Sequence, residues 1–388
     1  MKDVFIVDGL RTPICGRSQG LKDVPAVRLA AAVLKTLLKD NGIRGDYIDE
    51  VILGNAVGAD LGQNPARQAL IYAGLPFAVP AFTVNKVCGS GLKSVILGAQ
   101  AIACEDADII IAGGAESVSR CPYILPRNKK DKISDGENMR DSLISDGLRC
   151  SLNGTHMGTI AEYTAEKFKI TREEQDNYAL ESHRKACLAQ ETGLFKNEIV
   201  PVETAMGRIV DADEKPRKTS IEKLSRIPPA FKPKGTVTAG NSPAPADGAA
   251  ALILASSKAL KKYGITPVAR VLGYAAVGVR PELTFTGSAL AIKKCLKASS
   301  LEIADVDLFD ITESFAVQAL LTIKETGIDT KRLNIFGGTI ALGHPLGASG
   351  ARSLVTLISA LKTQRKKTGV TSVCLGGGCA VSLAIHVL

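Results

Sequence analysis

Apolar and polar positions run along this chain in two rhythms. Val4–Asp8, Glu50–Gly54, Ala81–Val84 and Ala107–Ala112 are short apolar runs between polar or turn-forming residues, the pattern of buried strands. Val27–Asp40, Asn64–Ala73 and Ser90–Ala103 instead repeat apolar residues at helical spacing. Strands and helices taking turns predict an α/β layer fold. The last third returns to the same alternation. It predicts strands over Val268–Val277 and Asp307–Ile311, and helices over Ala289–Ala298, Phe315–Glu325 and Ser349–Lys362. Val370–Leu375 and Val381–Val387 predict a closing hairpin.

From Ser119 to about Ala246 the rhythm breaks. This segment is charged, has long polar loops, and holds one helix-rich stretch over Thr155–Thr192. Thr171 and Glu174 have the spacing of a capping box, in which the two side chains satisfy each other's backbone donors at a helix start. The segment reads as an insertion or lid.

A repeat joins the two ends. Gly89-Ser90-Gly91-Leu92-Lys93-Ser94-Val95 matches Ala348-Ser349-Gly350-Ala351-Arg352-Ser353-Leu354. Ile109-Ile110-Ile111-Ala112-Gly113-Gly114-Ala115 resembles Ser372-Val373-Cys374-Leu375-Gly376-Gly377-Gly378. The spacing is far longer than the ~20–50 residues of a solenoid, so it implies duplication of a half-domain.

Composition narrows the picture. The 388 residues suit two or three domains or one duplicated unit. Aromatics are only 4% and tryptophan is absent, so the core is built from Ala, Val, Ile and Leu. No run is long and apolar enough for a membrane span. No targeting segment is visible, which predicts a cytoplasmic protein with its nine cysteines reduced. The net charge of +9 raises two partners, nucleic acid or an anionic small ligand. The basic residues cluster between Lys215 and Lys234 with only Phe231 as aromatic company. Nucleic-acid binding favours interleaved aromatics, so a phosphate-bearing small ligand fits better.

Three residues stand out chemically. Cys88 follows a strand and precedes Gly89-Ser90-Gly91 and a helix, where the helix dipole is expected to favour the thiolate. His344 lies in a glycine-crowded loop, Gly337 to Gly350, where a neutral imidazole can take a thiol proton. Cys374 precedes Gly376-Gly377-Gly378, whose N–H groups suit an oxyanion. No paired Cys/His spacing suggests zinc, and neither glycine turn meets the dinucleotide pattern.

These residues resemble the thiolase family. Asn85-Lys86-Val87-Cys88-Gly89-Ser90-Gly91 is similar to its nucleophile motif, Gly337 to Gly350 to its histidine motif, and Cys374-Leu375-Gly376-Gly377-Gly378 to its second-cysteine motif. Arg11-Thr12-Pro13, Gly235-Thr236-Val237-Thr238-Ala239-Gly240-Asn241 and Asp247-Gly248-Ala249-Ala250 match as well. The resemblance runs the whole length and implies a duplicated five-layer αβαβα fold. It implies an N-terminal half over 1–118, an inserted coenzyme A-binding loop domain over 119–246, a return over 247–269, and a C-terminal half over 270–388.

The resemblance also implies a reaction. Cys88 is the acyl-carrying nucleophile, His344 its base and Cys374 the base for the α-carbon of a second acyl-CoA. The N–H groups of Cys88 and Gly376 hold one oxyanion, and Thr312 stands where the family's enolate-binding asparagine is found. Leu148, His156, Met157, Arg217, Phe231 and Ala239 match coenzyme A contacts. The expected ligands are acetyl-CoA, 3-ketoacyl-CoA and free coenzyme A, with no metal or organic cofactor, no nucleic acid and no membrane. The expected assembly is a homodimer or homotetramer. Departures cluster near the acyl group. Thr312-Glu313-Ser314-Phe315 replaces N-E-A-F, Thr284-Phe285-Thr286-Gly287-Ser288 replaces M-G-x-G-P, Pro243 replaces a serine, and Cys379-Ala380 replaces Met-Gly. Three activities follow: an acetyl-CoA acetyltransferase, a degradative thiolase for longer or unusual chains, and a relative that binds acyl-CoA with weakened C–C chemistry.

Overall fold

Two strand–helix units of the same plan face each other. The computed structural model describes residues 2–125 and 139–388. Residues 126–138 of the expected insertion lie outside them. In the first unit the strands are β1 (Val4–Arg11), β2 (Glu50–Gly54), β3 (Ala81–Val84), β4 (Ile109–Glu116) and β5 (Ala246–Ser256). They lie in the order β3-β2-β4-β5-β1. β2 runs parallel to both β3 and β4, while β5 is antiparallel to β4 and β1. In the second unit, β6 (Ala269–Gly278), β7 (Leu308–Ile311), β8 (Thr368–Leu375) and β9 (Cys379–Val387) lie in the order β7-β8-β9-β6. β7 is parallel to β8, and β9 is antiparallel to β8 and β6. A parallel bridge from Phe309 to Leu333 occupies the place of β3. The two units therefore share order and direction, which is the duplication expected from the repeat.

The units join where β1 pairs β6, Phe5 with Arg270 and Ile6 with Ala269. Between the two sheets lie α3 (Ser90–Ala103) and α8 (Ser349–Thr363), which pack on each other. α3 packs on β2, β4 and β9, and α8 on β5, β7 and β8, so each helix touches both sheets. The outer faces carry α1 (Ala26–Asp40) and α2 (Pro65–Tyr72) on one side. On the other lie α6 (Gly287–Ala298) and α7 (Ala316–Thr326). Helix, sheet, helix, sheet, helix is the five-layer αβαβα fold. The central layer explains the repeated Ser-Gly. A Cβ on Gly91 would lie 2.8 Å from the Gly347 carbonyl oxygen, and one on Gly350 2.7 Å from Leu92 Cβ. Only glycine lets the two helix starts approach this closely.

Between the units run α4 (Met157–Phe168) and α5 (Arg172–Glu191). The capping box forms as the sequence predicts: Thr171 N–H donates to Glu174 Oε2 at 2.6 Å, and Glu174 N–H to Thr171 Oγ1 at 3.2 Å. This segment is tied to the sheet by Arg11, which is fully buried. Its guanidinium donates to Glu198 at 2.6 Å and to Asp213 at 2.7 and 2.9 Å, so the buried charge is paired on both sides. β5 is the element the apolar pattern leaves out. It lies between β4 and β1, all but its last residue buried. No helix among the described residues is long and apolar enough to cross a membrane.

Candidate active site

Cys88 sits in the turn between β3 and α3. Asn85 Oδ1 accepts from Val87 N–H at 2.9 Å, and Asn85 Nδ2 donates to the Ala56 carbonyl at 3.0 Å. Ser90 Oγ accepts from Lys86 N–H at 2.8 Å and donates to the Val87 carbonyl at 2.6 Å. This lattice holds Val87 at φ 48°. A β-branched residue there costs about 1–2 kcal/mol, and the strain aims the next side chain, Cys88, into the interior.

His344 comes from the glycine-rich loop before α8. Its N–H donates to the Ala244 carbonyl at 2.9 Å. Its Nδ1 lies 2.6 Å from Ser349 Oγ, and that hydroxyl donates to the Pro345 carbonyl at 2.9 Å. The single hydroxyl proton being used, Ser349 accepts from Nδ1–H. Nε2 is left as the free basic nitrogen. Burial, with the nearby Arg352 guanidinium, lowers the imidazole to about 4. His344 is therefore neutral at pH 7, the state a base needs.

Cys374 ends β8. Gly377 and Gly378 then turn the chain at φ 83° and 82° into β9. A Cβ on Gly378 would strike the Val279 carbonyl, so no other residue fits. The N–H groups of Cys88 and Gly376 face the Cys88 sulfur. Backbone donors facing a sulfur are groups able to stabilise an oxyanion formed on it.

Cys88, His344, Cys374 and Gly376 line one pocket of about 650 Å³, together with Leu148, His156, Met157 and Phe231. Four of the six expected coenzyme A contacts are thus on its wall. His156 caps α4 by accepting from Gly158 N–H at 3.0 Å and stacks on Phe231 at 5.2 Å. Arg217 and Ala239 are exposed and stand outside the pocket. The surrounding basic cluster is partly neutralised, with Lys218 on Glu191 at 2.9 Å and Lys232 on Glu166 at 2.8 Å.

Two expectations are corrected. The helix start does not make Cys88 a resting thiolate. Burial dominates and pushes its thiol up to about 12, with the Cys374 sulfur and Glu116 adding negative neighbours. Thr312 does not reach the pocket. Its hydroxyl pairs with Ser353 Oγ at 3.2 Å, because a short buried hydroxyl is satisfied where a partner already lies. Ser314, two residues on, lines the pocket instead.

Sequence reasoning missed the supports. Glu116 accepts from Ala56 N–H, Val57 N–H, Asn55 Nδ2 and Gly347 N–H, at 2.8 to 3.3 Å. It thereby ties the loop beside Cys88 to the loop carrying His344. A lone acid ending the apolar run Ile109–Glu116 was its signal. Ser349 had none beyond its place in the repeat. Ser349→Ala is expected to lower kcat about tenfold to a hundredfold with little change in KM, because the imidazole loses its orienting acceptor. Ser349→Thr keeps the hydroxyl and is expected to restore most of the rate.

Two thiols and a neutral imidazole on one pocket, with two N–H groups facing one of the sulfurs, can perform covalent acyl transfer. The comparisons agree. The thiolase N-terminal domain profile matches residues 4–258 and the thiolase C-terminal domain profile residues 265–387. An acetyl-CoA acetyltransferase from Allochromatium vinosum is 45% identical over 390 residues, 99% of each chain. Two solved structures cover 100% of this chain and 99% of their own. They are a Bacillus anthracis acetyl-CoA acetyltransferase (TM-score 0.97, 38% identity) and human mitochondrial 3-ketoacyl-CoA thiolase (TM-score 0.95, 37% identity). The chain belongs to the thiolase family and is an acyl-transferring enzyme of that fold.

Proposed function

We propose that the protein is an acetyl-CoA C-acetyltransferase, joining two acetyl-CoA into acetoacetyl-CoA and coenzyme A, or running the thiolysis in reverse. The observation that carries this is the convergence of Cys88, His344, Cys374 and Gly376 on one pocket. In the forward direction His344 Nε2 takes the Cys88 proton as the sulfur attacks the thioester carbonyl. The N–H groups of Cys88 and Gly376 hold the oxyanion. Collapse expels the coenzyme A thiolate, which takes the Cys374 proton. The Cys374 thiolate then removes an α-proton from a second acetyl-CoA. The carbanion attacks acetyl-Cys88, and the Cys88 thiolate leaves and recovers its proton from His344. Each protein group ends with a proton restored, one proton passes in net from the α-carbon to coenzyme A, and the scheme calls on no metal or organic cofactor.

The same reading gives 119–246 the coenzyme A contacts, with Arg217 and Ala239 meeting those parts of the ligand that stay outside the pocket. The halves are 1–118 with 247–269, and 270–388, assembled as a homo-oligomer. Acyl length follows from an aromatic wall. Phe285 lies 5.4 Å from Phe315, and Phe315 6.1 Å from Phe231, measured between ring centroids. Phe285 fills the position that is glycine in the family pattern, which favours short acyl groups. Thiolysis of acetoacetyl-CoA, compared with that of a longer 3-ketoacyl-CoA, tests the function: the short substrate is expected to be preferred, and preference for the longer one contradicts the acetyl reading. Phe285→Ala is expected to move the ratio of kcat/KM toward the longer substrate by about tenfold or more, the order of a few methylenes' contact. An unchanged ratio would remove Phe285 from the acyl wall.

A further inference from the structure

Two departures from the family pattern bear on one sulfur. Ser314 stands where the pattern has alanine, and Ser288 where it has proline. Ser314 Oγ lies 3.3 Å from Cys374 Sγ. Ser288, in the first turn of α6, is fully buried, and its hydroxyl has no partner of ordinary hydrogen-bond geometry. Its hydroxyl favours the thiolate form of Cys374. The backbone of Ser314 is fixed. Its N–H donates to Gln318 Oε1 and to the Thr312 carbonyl, each at 3.0 Å.

The chemistry needs such donors. Cys374 is 1% exposed, and burial pushes its thiol up to about 11. Between the two half-reactions this sulfur must carry a negative charge. Its titratable companions in the pocket are Cys88 and His344, with His156 on the wall. None of these is a resting cation at pH 7, since His344 and His156 are both lowered by burial. The Cys374 N–H is one donor to the sulfur and the others are hydroxyls, and hydrogen bonds to an ionised acceptor are stronger than those between neutral groups.

We infer that Ser314 and Ser288 form a two-hydroxyl cradle that positions the Cys374 sulfur and donates to it when it is a thiolate. They are positioning residues for the base, and the inference rests on the proposed reaction. An unpartnered hydroxyl at Ser288 is then a donor held in reserve for the charged state. A different role for Ser314, contact with the acyl group, predicts a change in KM alone.

The test reads Cys374 without turnover. In a Cys88→Ala background, alkylation of Cys374 by iodoacetamide is followed at pH 8 by mass spectrometry of its peptide. The reacting form is the thiolate. Loss of one donor is expected to raise the thiol's pKa by about one unit and slow labelling about tenfold. Ser314→Ala and Ser288→Ala should each show this, the double variant should be slower still, and Ser314→Thr should stay within about twofold of the parent. Truncation opens space and by itself speeds labelling, so steric access cannot mimic the expected slowing. Labelling that is unchanged or faster in the alanine variants, with melting temperature preserved, overturns the cradle. If one variant fails to fold, the other decides. Slowed labelling, with no thioester turnover by the protein that retains Cys88, would leave the cradle standing and sink the proposed reaction. Normal turnover with unchanged labelling would do the opposite.

Discussion

Cys88→Ala is expected to abolish acyl transfer, lowering thiolysis of acetoacetyl-CoA on the order of 10⁴-fold or more, because the oxyanion donors face the Cys88 sulfur and the acyl-carrying thiol is then gone. The fold should survive. Cys88 is buried but small, and the turn around it is held by Asn85 and Ser90, which the substitution leaves in place. Melting temperature and coenzyme A binding are therefore expected to stay close to those of the parent. The burial of Cys88 adds a condition. Its thiol is pushed up to about 12 and His344 is lowered to about 4, so the free protein holds a neutral thiol and a neutral imidazole on one pocket. The proton moves only as the sulfur–carbon bond forms. A large residual rate in Cys88→Ala would mean that coenzyme A attacks the ketone directly, and the covalent scheme would be wrong.

Cys374→Ala separates the two half-reactions. Condensation is expected to fall on the order of 10³–10⁴-fold, since the α-proton then has no base. Acetylation of Cys88 by acetyl-CoA should persist more slowly, because the nucleophile, the imidazole and both oxyanion donors are untouched. Intact-mass and peptide analysis after mixing with acetyl-CoA reads the acylation, and acetoacetyl-CoA formation reads the condensation. Equal loss of both steps would place Cys374 in the first half-reaction as firmly as in the second. Equal survival of both would assign the α-proton to another group, and His344 would be the first to examine.

Much of the fold is legible in the chain because its elements carry local signals. α3 runs from Ser90 to Ala103 as the apolar spacing predicts, and β2 and β3 fall where the short apolar runs lie. β5 is the informative miss. Ala246–Ser256 is dominated by alanine and is buried on both faces, so it shows neither the alternation of a half-exposed strand nor a β-branched run. Only its long-range pairing with β1 and β4 makes it a strand.

The site divides in the same way. Cys88, His344 and Cys374 are readable because each sits in or beside a glycine-rich turn whose backbone demands leave a trace in sequence. The groups that tune them are not. Ser349, Glu116, Ser314 and Ser288 act through contacts made across the fold, to residues 5 to 231 positions away in the case of the hydrogen bonds from His344 and Gly347. Thr312 shows the converse. Its place in the motif points to the enolate hole, yet Ser353, on the neighbouring α8, claims its hydroxyl. The thiolate expected at Cys88 fails for a related reason: a helix start is local, but burial is set by the whole chain, and here burial wins.

The most direct measurement mixes the protein with acetyl-CoA, then locates the acetyl group by peptide mass spectrometry while following acetoacetyl-CoA formation in the same sample. The account predicts acetyl on Cys88 and on no other cysteine, with condensation product accumulating. Acetyl-Cys88 without any product would favour the acyl-binding relative with weakened C–C chemistry, and turnover with no label on Cys88 would contradict the account at its centre.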